Sequence, residues 1–160
     1  MSNFFSKKSI IFCIVSFPIL IMHSSVNAAV WGLKKTLLFF SKGLSSLGGK
    51  KVNDLKEAVK EMDAISLHMP LNDETKNIVN YDLLRSMKTN CIVVNAARGW
   101  IINEVDLDKA LRENLIFGAG LDVFETEPPK SDNPLLKNDK VFLSPHTAAF
   151  TEECMIRMGK

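Results

Sequence analysis

The chain has 160 residues, which is room for one ordinary domain and not for two. Its 20 basic and 18 acidic side chains leave a formal charge of +2, too small and too evenly spread for a nucleic-acid partner. A composition that is 46% hydrophobic and 24% charged is typical of a folded globular chain and excludes general disorder.

Residues 1–28 are laid out like a secretory signal peptide. Lys7 and Lys8 precede an apolar stretch from Ser9 to Met22, and the small residues of Val26-Asn-Ala28 follow where a cleavage site is expected. The stretch is shorter than the roughly 18–20 residues that span a bilayer, which disfavours a membrane anchor. Non-native sequence is an equal alternative, because the rest of the chain favours a cytoplasmic protein over an exported one.

The three cysteines are distant from one another in the sequence. Cys13, Cys91 and Cys154 form no CxxC pair, and together with three histidines they give no zinc-site spacing. We therefore predict free, buried thiols and no metal site.

The composition changes near residue 50. Residues 29–51 contain an apolar run at Leu37–Phe40 and a Gly/Ser-rich stretch at Gly43–Gly49, and they are unassigned, with a linker as the preferred interpretation. We find no G-x-G-x-x-G fingerprint of a dinucleotide-binding strand–helix unit. A phosphate-binding P-loop does not fit either, because Leu44 and Lys51 stand where it needs glycine and Ser or Thr.

Helices and strands alternate from Val52 to Lys160. Apolar spacing and Asn caps predict helices over Asp54–Met62, Tyr81–Met87 (cap Asn80) and Glu104–Glu113 (cap Asn103), and from near Thr151. Apolar, β-rich runs predict strands at Ala64–Leu67, Cys91–Val94, Gly118–Asp122 and Val141–Ser144. This alternation indicates an α/β fold, a partial doubly wound, Rossmann-like parallel sheet of about four strands.

Polar residues follow each predicted strand, where an open parallel sheet gathers its chemistry. They are His68, Asn95 to Arg98, Asp122 to Glu127, and His146. Taken singly, each is weak evidence, because a lone histidine is more often structural and lone charges such as Glu125 are usually solvated.

Three of these stretches form a pattern when taken together. They are Asn95-Ala-Ala-Arg-Gly99, Asp122-Val-Phe-Glu-Thr-Glu-Pro128 and Ser144-Pro-His-Thr-Ala-Ala149. In this order they resemble the D-isomer-specific 2-hydroxyacid dehydrogenases, the family of phosphoglycerate dehydrogenase and hydroxypyruvate reductase. The resemblance extends from about Val52 to the C-terminus and corresponds to the rear half of the family's NAD-binding domain.

The resemblance implies a catalytic set of Arg98, Glu127 and His146. The planar guanidinium of Arg98 would hold the substrate's carboxylate or 2-oxo group with paired hydrogen bonds. His146 would take the proton of the 2-hydroxyl group as hydride leaves for the nicotinamide. Glu127 would bind the other ring nitrogen and orient the imidazole.

The resemblance also implies NAD as cofactor, with NADP as the alternative. Asp122 would face the carboxamide, although His68 is expected to be structural. The residues placed around the dinucleotide are His68, Pro70, Ala96, Ala97, Arg98, Asp122, His146 and Ala148. Trp100 is larger than expected after the Arg98-Gly99 pair and has no functional interpretation.

The resemblance implies that the parent enzyme oxidises or reduces a 2-hydroxy or 2-oxo acid. We expect that this polypeptide alone does not catalyse the reaction. The pyrophosphate loop, the ribose-binding acid and the substrate domain are not found, and the strand at Ala64–Leu67 would keep an open hydrophobic edge. One alternative is a non-catalytic binding module that forms a homodimer or pairs with an intact paralogue. The other is an exported protein on the same scaffold.

Overall fold

The structure, a computed structural model, describes residues 36–40, 54–148, 150 and 152–158. Within them, five parallel strands form one sheet in sequence order. The strands are Thr36–Phe40 (β1), Ala64–His68 (β2), Ile92–Asn95 (β3), Gly118–Leu121 (β4) and Val141–Leu143 (β5). The helices are Leu55–Val59 (α1), Tyr81–Arg85 (α2), Glu104–Arg112 (α3) and Glu152–Met158 (α4), with a 3-10 helix at Pro134–Lys137. The predicted α/β class is confirmed.

The sheet has one strand more than the sequence predicted. β1 runs parallel to β2 and pairs along its length, with Phe40 opposite His68. The expectation that β2 keeps an open edge is therefore wrong. The residues of β1 show neither helical nor alternating apolar spacing. Periodicity cannot assign so short a run to a strand or to a helix, so β1 is not predicted from the sequence alone. The signal-like segment, Cys13 and the Gly/Ser-rich stretch lie outside the described residues.

The predicted helix caps are confirmed. The side chains of Asn80 and Asn103 each accept a hydrogen bond from the backbone N–H three residues later, at 3.1 and 3.0 Å. α1 and α2 end earlier than predicted, at Val59 and Arg85. Their last turns continue through bonds between residues three apart, because the chain tightens there toward 3-10 geometry.

α3 ends in a Schellman motif. The Leu115 N–H donates to the Ala110 carbonyl at 2.9 Å, and the Asn114 N–H donates to the Leu111 carbonyl at 3.2 Å. Asn114 has φ of 60°, in the left-handed region that asparagine tolerates better than most residues. This turn leads directly into β4.

We expect Asn114→Ala to unfold more easily than Asn114→Gly by about 1 kcal/mol, because alanine is strained at this φ and glycine is not. Both variants lose the hydrogen bond from Lys140 Nζ to the Asn114 side chain. Their difference therefore isolates the backbone conformation. Urea denaturation measures it, and equal stabilities would contradict the expectation.

Packing covers both faces of β3, as its continuous apolar run predicted. Val93 belongs to the larger apolar cluster, whereas Ile92 and Val94 form a second cluster on the other face. Ala96 and Ala148 both pack against this second cluster. The chain segments after β3 and β5 are thus brought together at one edge of the sheet.

The two described cysteines differ in burial. Cys91 is buried, as predicted, and burial raises its pKa to about 12, so it stays protonated and unreactive. Cys154 is partly exposed, which corrects the prediction of burial for this residue. Within the described ranges, no group of three or more His, Cys, Asp or Glu residues is arranged to hold a metal ion. None of the helices in this part of the chain is long and apolar enough to cross a membrane.

Candidate active site

The turn after β3 is built by Asn95, which is 2% exposed. Its side-chain oxygen accepts from the Ala97 N–H at 3.1 Å, and its amide group donates to the Arg98 carbonyl at 2.8 Å. Its own carbonyl accepts from the Asp122 N–H at 2.9 Å, which joins the turn to the end of β4. Arg98 therefore starts from a fixed backbone position.

Asp122 is fully buried and organises the loop after β5. Its Oδ1 accepts from Ser144 Oγ at 2.5 Å and from the Thr147 N–H at 2.9 Å, and its Oδ2 accepts from the Ala148 N–H at 2.8 Å. Since a carboxylate has about four lone-pair sites, one acceptor position on Oδ2 is left. Asp122 thus holds the loop that carries His146, in addition to the cofactor contact predicted for it.

His146 and Glu127 are directly hydrogen bonded. His146 Nδ1 lies 2.7 Å from Glu127 Oε2, and Glu127 Oε1 accepts from the Phe124 N–H at 3.1 Å. His146 has φ of 54°, a conformation that a residue with a side chain keeps only when its surroundings impose it. Strain of this kind is concentrated at functional sites.

The electrostatics of this pair favour the ionised form of Glu127. The pKa of Glu127 is lowered, first by the hydrogen bond from His146, against burial that would raise it, and further by the Phe124 N–H and the charges of His146 and Arg98. Glu127 is therefore a carboxylate at neutral pH. A carboxylate at Nδ1 selects the Nδ1–H tautomer and leaves Nε2 as the nitrogen that can accept a proton.

Arg98 lies at the same edge of the sheet and is exposed. Its Nη1 donates to the Ala97 carbonyl at 2.6 Å, and its positive charge is one of the causes of the low pKa of Glu127. The structure thus brings His146 and Glu127 into direct contact and places Arg98 at the same edge of the sheet.

The residues predicted to bind the cofactor occupy two parts of this edge. His68 Nε2 lies 2.7 Å from Ser66 Oγ, and burial lowers the pKa of His68, so its ring is neutral. The Pro70 carbonyl accepts from Thr75 Oγ1 at 2.8 Å. These contacts support the structural role expected of His68. They leave its predicted proximity to the dinucleotide as a prediction.

Three of the residues predicted to line the cofactor are alanines. Ala97 packs against the larger apolar cluster and Ala96 and Ala148 pack against the smaller one, so none of the three places a bulky side chain at this edge of the sheet. Asp122 is 0% exposed in this structure, so its contact with the carboxamide stays a prediction. The small side chains at this edge are compatible with the NAD cofactor that the resemblance implies.

Taken singly, Glu125 was expected to be a solvated loop charge. In the structure it is hydrogen bonded to Glu104 instead. Its Oε1 accepts from the Glu104 N–H at 3.0 Å, and its N–H donates to Glu104 Oε1 at 2.6 Å. Asn133 caps the 3-10 helix, with its side chain accepting from the Leu135 N–H. The roles of Glu104 and Ser144 are not predicted from the sequence, because each depends on a partner more than 20 residues away.

Trp100 lies in the left-handed region of backbone conformation. Its φ is 64°, which favours glycine, so the backbone here is strained by any residue that carries a Cβ atom. The Trp100 carbonyl accepts from the Asn77 N–H at 2.7 Å, and Lys76 Nζ lies 4.8 Å from the centre of its ring. The ring is 39% exposed, and nothing in the structure explains a role for it in the chemistry.

The presence of β1 changes the interpretation of residues 43–48, because the dinucleotide fingerprint is expected directly after a strand. Residues 43–48 are Gly-Leu-Ser-Ser-Leu-Gly, which differs from the G-x-G-x-x-G fingerprint only at Ser45. The signal that could have revealed it is the apolar run Leu37–Phe40, which ends just before Gly43. The stretch itself lies outside the described residues.

Comparison with known proteins identifies the family to which the chain belongs. The family model described as "D-isomer specific 2-hydroxyacid dehydrogenase, NAD binding domain" matches residues 27–148, so the match begins before Val52. The chain is 47% identical over 114 residues to a D-3-phosphoglycerate dehydrogenase of Methanocaldococcus jannaschii, covering 71% of this chain and 22% of the relative. It is 45% identical over 106 residues to a glyoxylate reductase of Korarchaeum cryptofilum, covering 66% of this chain and 32% of the relative.

A solved structure supports the same assignment. The NAD-complexed form of a D-isomer-specific 2-hydroxyacid dehydrogenase from Lactobacillus delbrueckii ssp. bulgaricus is similar, with a TM-score of 0.69 and 29% identity. The match covers 81% of this chain and 44% of that chain. The chain thus spans between about a fifth and a half of the length of the proteins that it matches here.

Proposed function

Since the chain belongs to the D-isomer-specific 2-hydroxyacid dehydrogenases, as their NAD-binding domain, we propose that it carries the proton-transfer side of an NAD(H)-dependent oxidoreductase site. The substrate class is a D-2-hydroxy acid or the corresponding 2-oxo acid, of the phosphoglycerate or glyoxylate/hydroxypyruvate type. The observation that carries this proposal is the 2.7 Å contact between His146 Nδ1 and Glu127 Oε2 beside the buried Asp122.

His146 acts as the acid and base. With Nδ1–H directed to the Glu127 carboxylate, Nε2 takes the proton of the substrate's 2-hydroxyl group in oxidation and returns it in reduction. Glu127 orients the ring and stabilises the imidazolium that forms. Bound NAD supplies hydride acceptance, or NADH hydride donation, next to this base.

Arg98 holds the substrate acid. A guanidinium forms two parallel hydrogen bonds with a carboxylate, which a lysine ammonium does not. Hydrogen bonds between the Asn95 side chain and the backbone of Ala97 and Arg98 fix the turn from which Arg98 extends, and the Arg98 side chain itself is exposed. Around the cofactor we propose His68, Pro70, Ala96, Ala97, Asp122 and Ala148, in addition to Arg98 and His146.

We also propose that this polypeptide does not catalyse by itself. The side chains of His146 and Glu127 are 52% and 37% exposed, so water surrounds the pair on the side where the substrate would bind. Hydride and proton transfer need a site from which water is excluded and in which both reactants are held. A second surface must therefore cover the pair before turnover is possible.

A grafting experiment tests the proposal. Residues 54–148 replace the matching segment of the Korarchaeum glyoxylate reductase, and NADH oxidation is followed by absorbance with glyoxylate or hydroxypyruvate. We expect turnover from the graft and none above the blank from the 160-residue chain alone. A folded graft that binds NADH without turnover would contradict the proposed chemistry. Turnover by the chain alone would contradict its proposed inactivity.

A non-catalytic binding module is the second candidate function. The observation that favours it is the exposure of Phe150, Met155 and Ile156, at 70, 57 and 58% of their surfaces. Such a module would form a homodimer or pair with an intact paralogue, and co-purification with a full-length homologue supports it over catalysis.

With an NAD-dependent role we propose the cytoplasm as the compartment, which cell fractionation tests.

A further inference from the structure

The loop that carries Glu127 is attached to the first turn of α3 mainly by the side chain of Glu104. Glu104 Oε1 accepts from the Glu125 N–H at 2.6 Å, and Glu104 Oε2 accepts from Asn133 Nδ2 at 2.6 Å. In return, Glu125 Oε1 accepts from the Glu104 N–H at 3.0 Å. Both carboxylate oxygens of Glu104 are thus used to hold the segment on either side of Glu127.

The Phe124–Glu125 peptide of this loop packs closely against Gly99, which lies between β3 and α3. A Cβ atom on Gly99 would lie 1.8 Å from the Phe124 carbonyl oxygen and 3.1 Å from the Glu125 nitrogen. The backbone at Gly99 therefore lies directly against the Phe124–Glu125 peptide. Glu104 binds the N–H of this same peptide, so one peptide is fixed by close packing and by a hydrogen bond.

The fixed peptide is adjacent to the group that holds Glu127. Phe124 is buried, and its N–H donates to Glu127 Oε1 at 3.1 Å, while Glu127 Oε2 contacts His146. A shift of the Phe124–Glu125 peptide would therefore move the donor that orients Glu127. The contact with His146 depends on that orientation.

We propose that Glu104 is a positioning residue for the Glu127–His146 pair. It touches neither partner, and its two oxygens hold the Glu127 loop where Oε2 meets His146 Nδ1. The geometry needs a glutamate, since glutamine offers one acceptor for two donors. The effect on catalysis rests on the proposed function, whereas the effect on the pair does not.

The test compares Glu104→Ala and Glu104→Gln with the unaltered chain by following the 13Cδ resonance of Glu127 against pH. His146→Ala, which removes the donor to Glu127, gives the midpoint of an uncoupled Glu127. We expect Glu104→Ala to raise the midpoint by at least half of the His146→Ala shift, and Glu104→Gln to raise it by less. An unchanged midpoint in a folded Glu104→Ala chain overturns the proposal. If Glu104→Ala does not fold, an unchanged midpoint in Glu104→Gln overturns it.

Asp106→Asn is the matched control. Asp106 is the other acidic residue in the first turn of α3, and it accepts from the Tyr81 N–H rather than from the Glu127 loop. Its replacement removes the same charge from the helix N-terminus while an acceptor oxygen remains. We expect no shift of the Glu127 midpoint, and a shift as large as that of Glu104→Ala would assign the effect to charge and overturn the positioning role.

The grafted enzyme separates failure of this inference from failure of the proposed function. Glu104→Ala should lower its kcat and leave the KM for NADH unchanged, because the proton-transfer pair moves and the cofactor contacts do not. A shifted Glu127 midpoint with unchanged kcat would confirm the positioning and contradict the assigned chemistry. An unchanged midpoint with lowered kcat would contradict the positioning alone.

Discussion

Replacing His146 with glutamine in the grafted enzyme is expected to lower kcat/KM for glyoxylate reduction by about 100- to 10,000-fold, the usual contribution of a positioned acid or base. Glutamine can still donate a hydrogen bond to Glu127, but its amide cannot deliver a proton to the forming 2-hydroxyl group. Initial rates with NADH in excess measure the loss. Titration of NADH fluorescence checks that cofactor affinity is unchanged.

Two companion variants show whether His146 and Glu127 act as one unit. Glu127→Gln should lose less than His146→Gln, since the ring is retained without its carboxylate partner. The double variant should lose no more than His146→Gln alone, because residues that act together give non-additive effects. Asp132→Asn, an exposed acid of the same loop, is the control and should keep the parental rate. A His146→Gln rate within tenfold of the parent would rule out its role as acid and base.

The fold was predictable from the sequence where burial leaves a pattern. β2, β3 and β4 are buried along most of their lengths, so their apolar runs identify them. Asn80 and Asn103 mark helix starts because the N-cap bond is local. β1 was not predictable in this way, since it is defined by its pairing with β2, more than 20 residues later in the chain.

The candidate site residues come from the family resemblance, and their supports do not. The resemblance that three motifs carry predicts Arg98, Glu127 and His146, and the motifs lie at strand ends, where chemistry gathers in this fold. The bonds that hold them join residues distant in sequence, such as Glu104 to Asn133 and Ser144 to Asp122. No local spacing in the sequence predicts such pairs. They depend on the register of the sheet and on the paths of the loops after β4 and β5.

Asp122→Ala is expected to lower the free energy of unfolding by about 3–5 kcal/mol, because it leaves several buried donors without an acceptor. The donors are Ser144 Oγ and the N–H groups of Thr147 and Ala148, all bound to a carboxylate that is 0% exposed. Asp122→Asn should lose less stability than Asp122→Ala. Its amide oxygen can still accept a hydrogen bond, whereas its NH2 group faces an N–H donor that it cannot satisfy.

Ser144→Ala separates the carboxylate from one of its donors. A hydrogen bond to a charged group contributes about 1.5–3 kcal/mol, so this variant should fall between the parent and Asp122→Ala in urea denaturation. Asp132→Ala, at an exposed position, should unfold like the parent. If Asp122→Ala were no less stable than Asp132→Ala, the three bonds could not be what fixes the loop. If the bonds do fix it, amide exchange at Thr147 and Ala148 should accelerate in Asp122→Ala, because these N–H groups lose their acceptor while His146 loses the constraint that holds its φ at 54°.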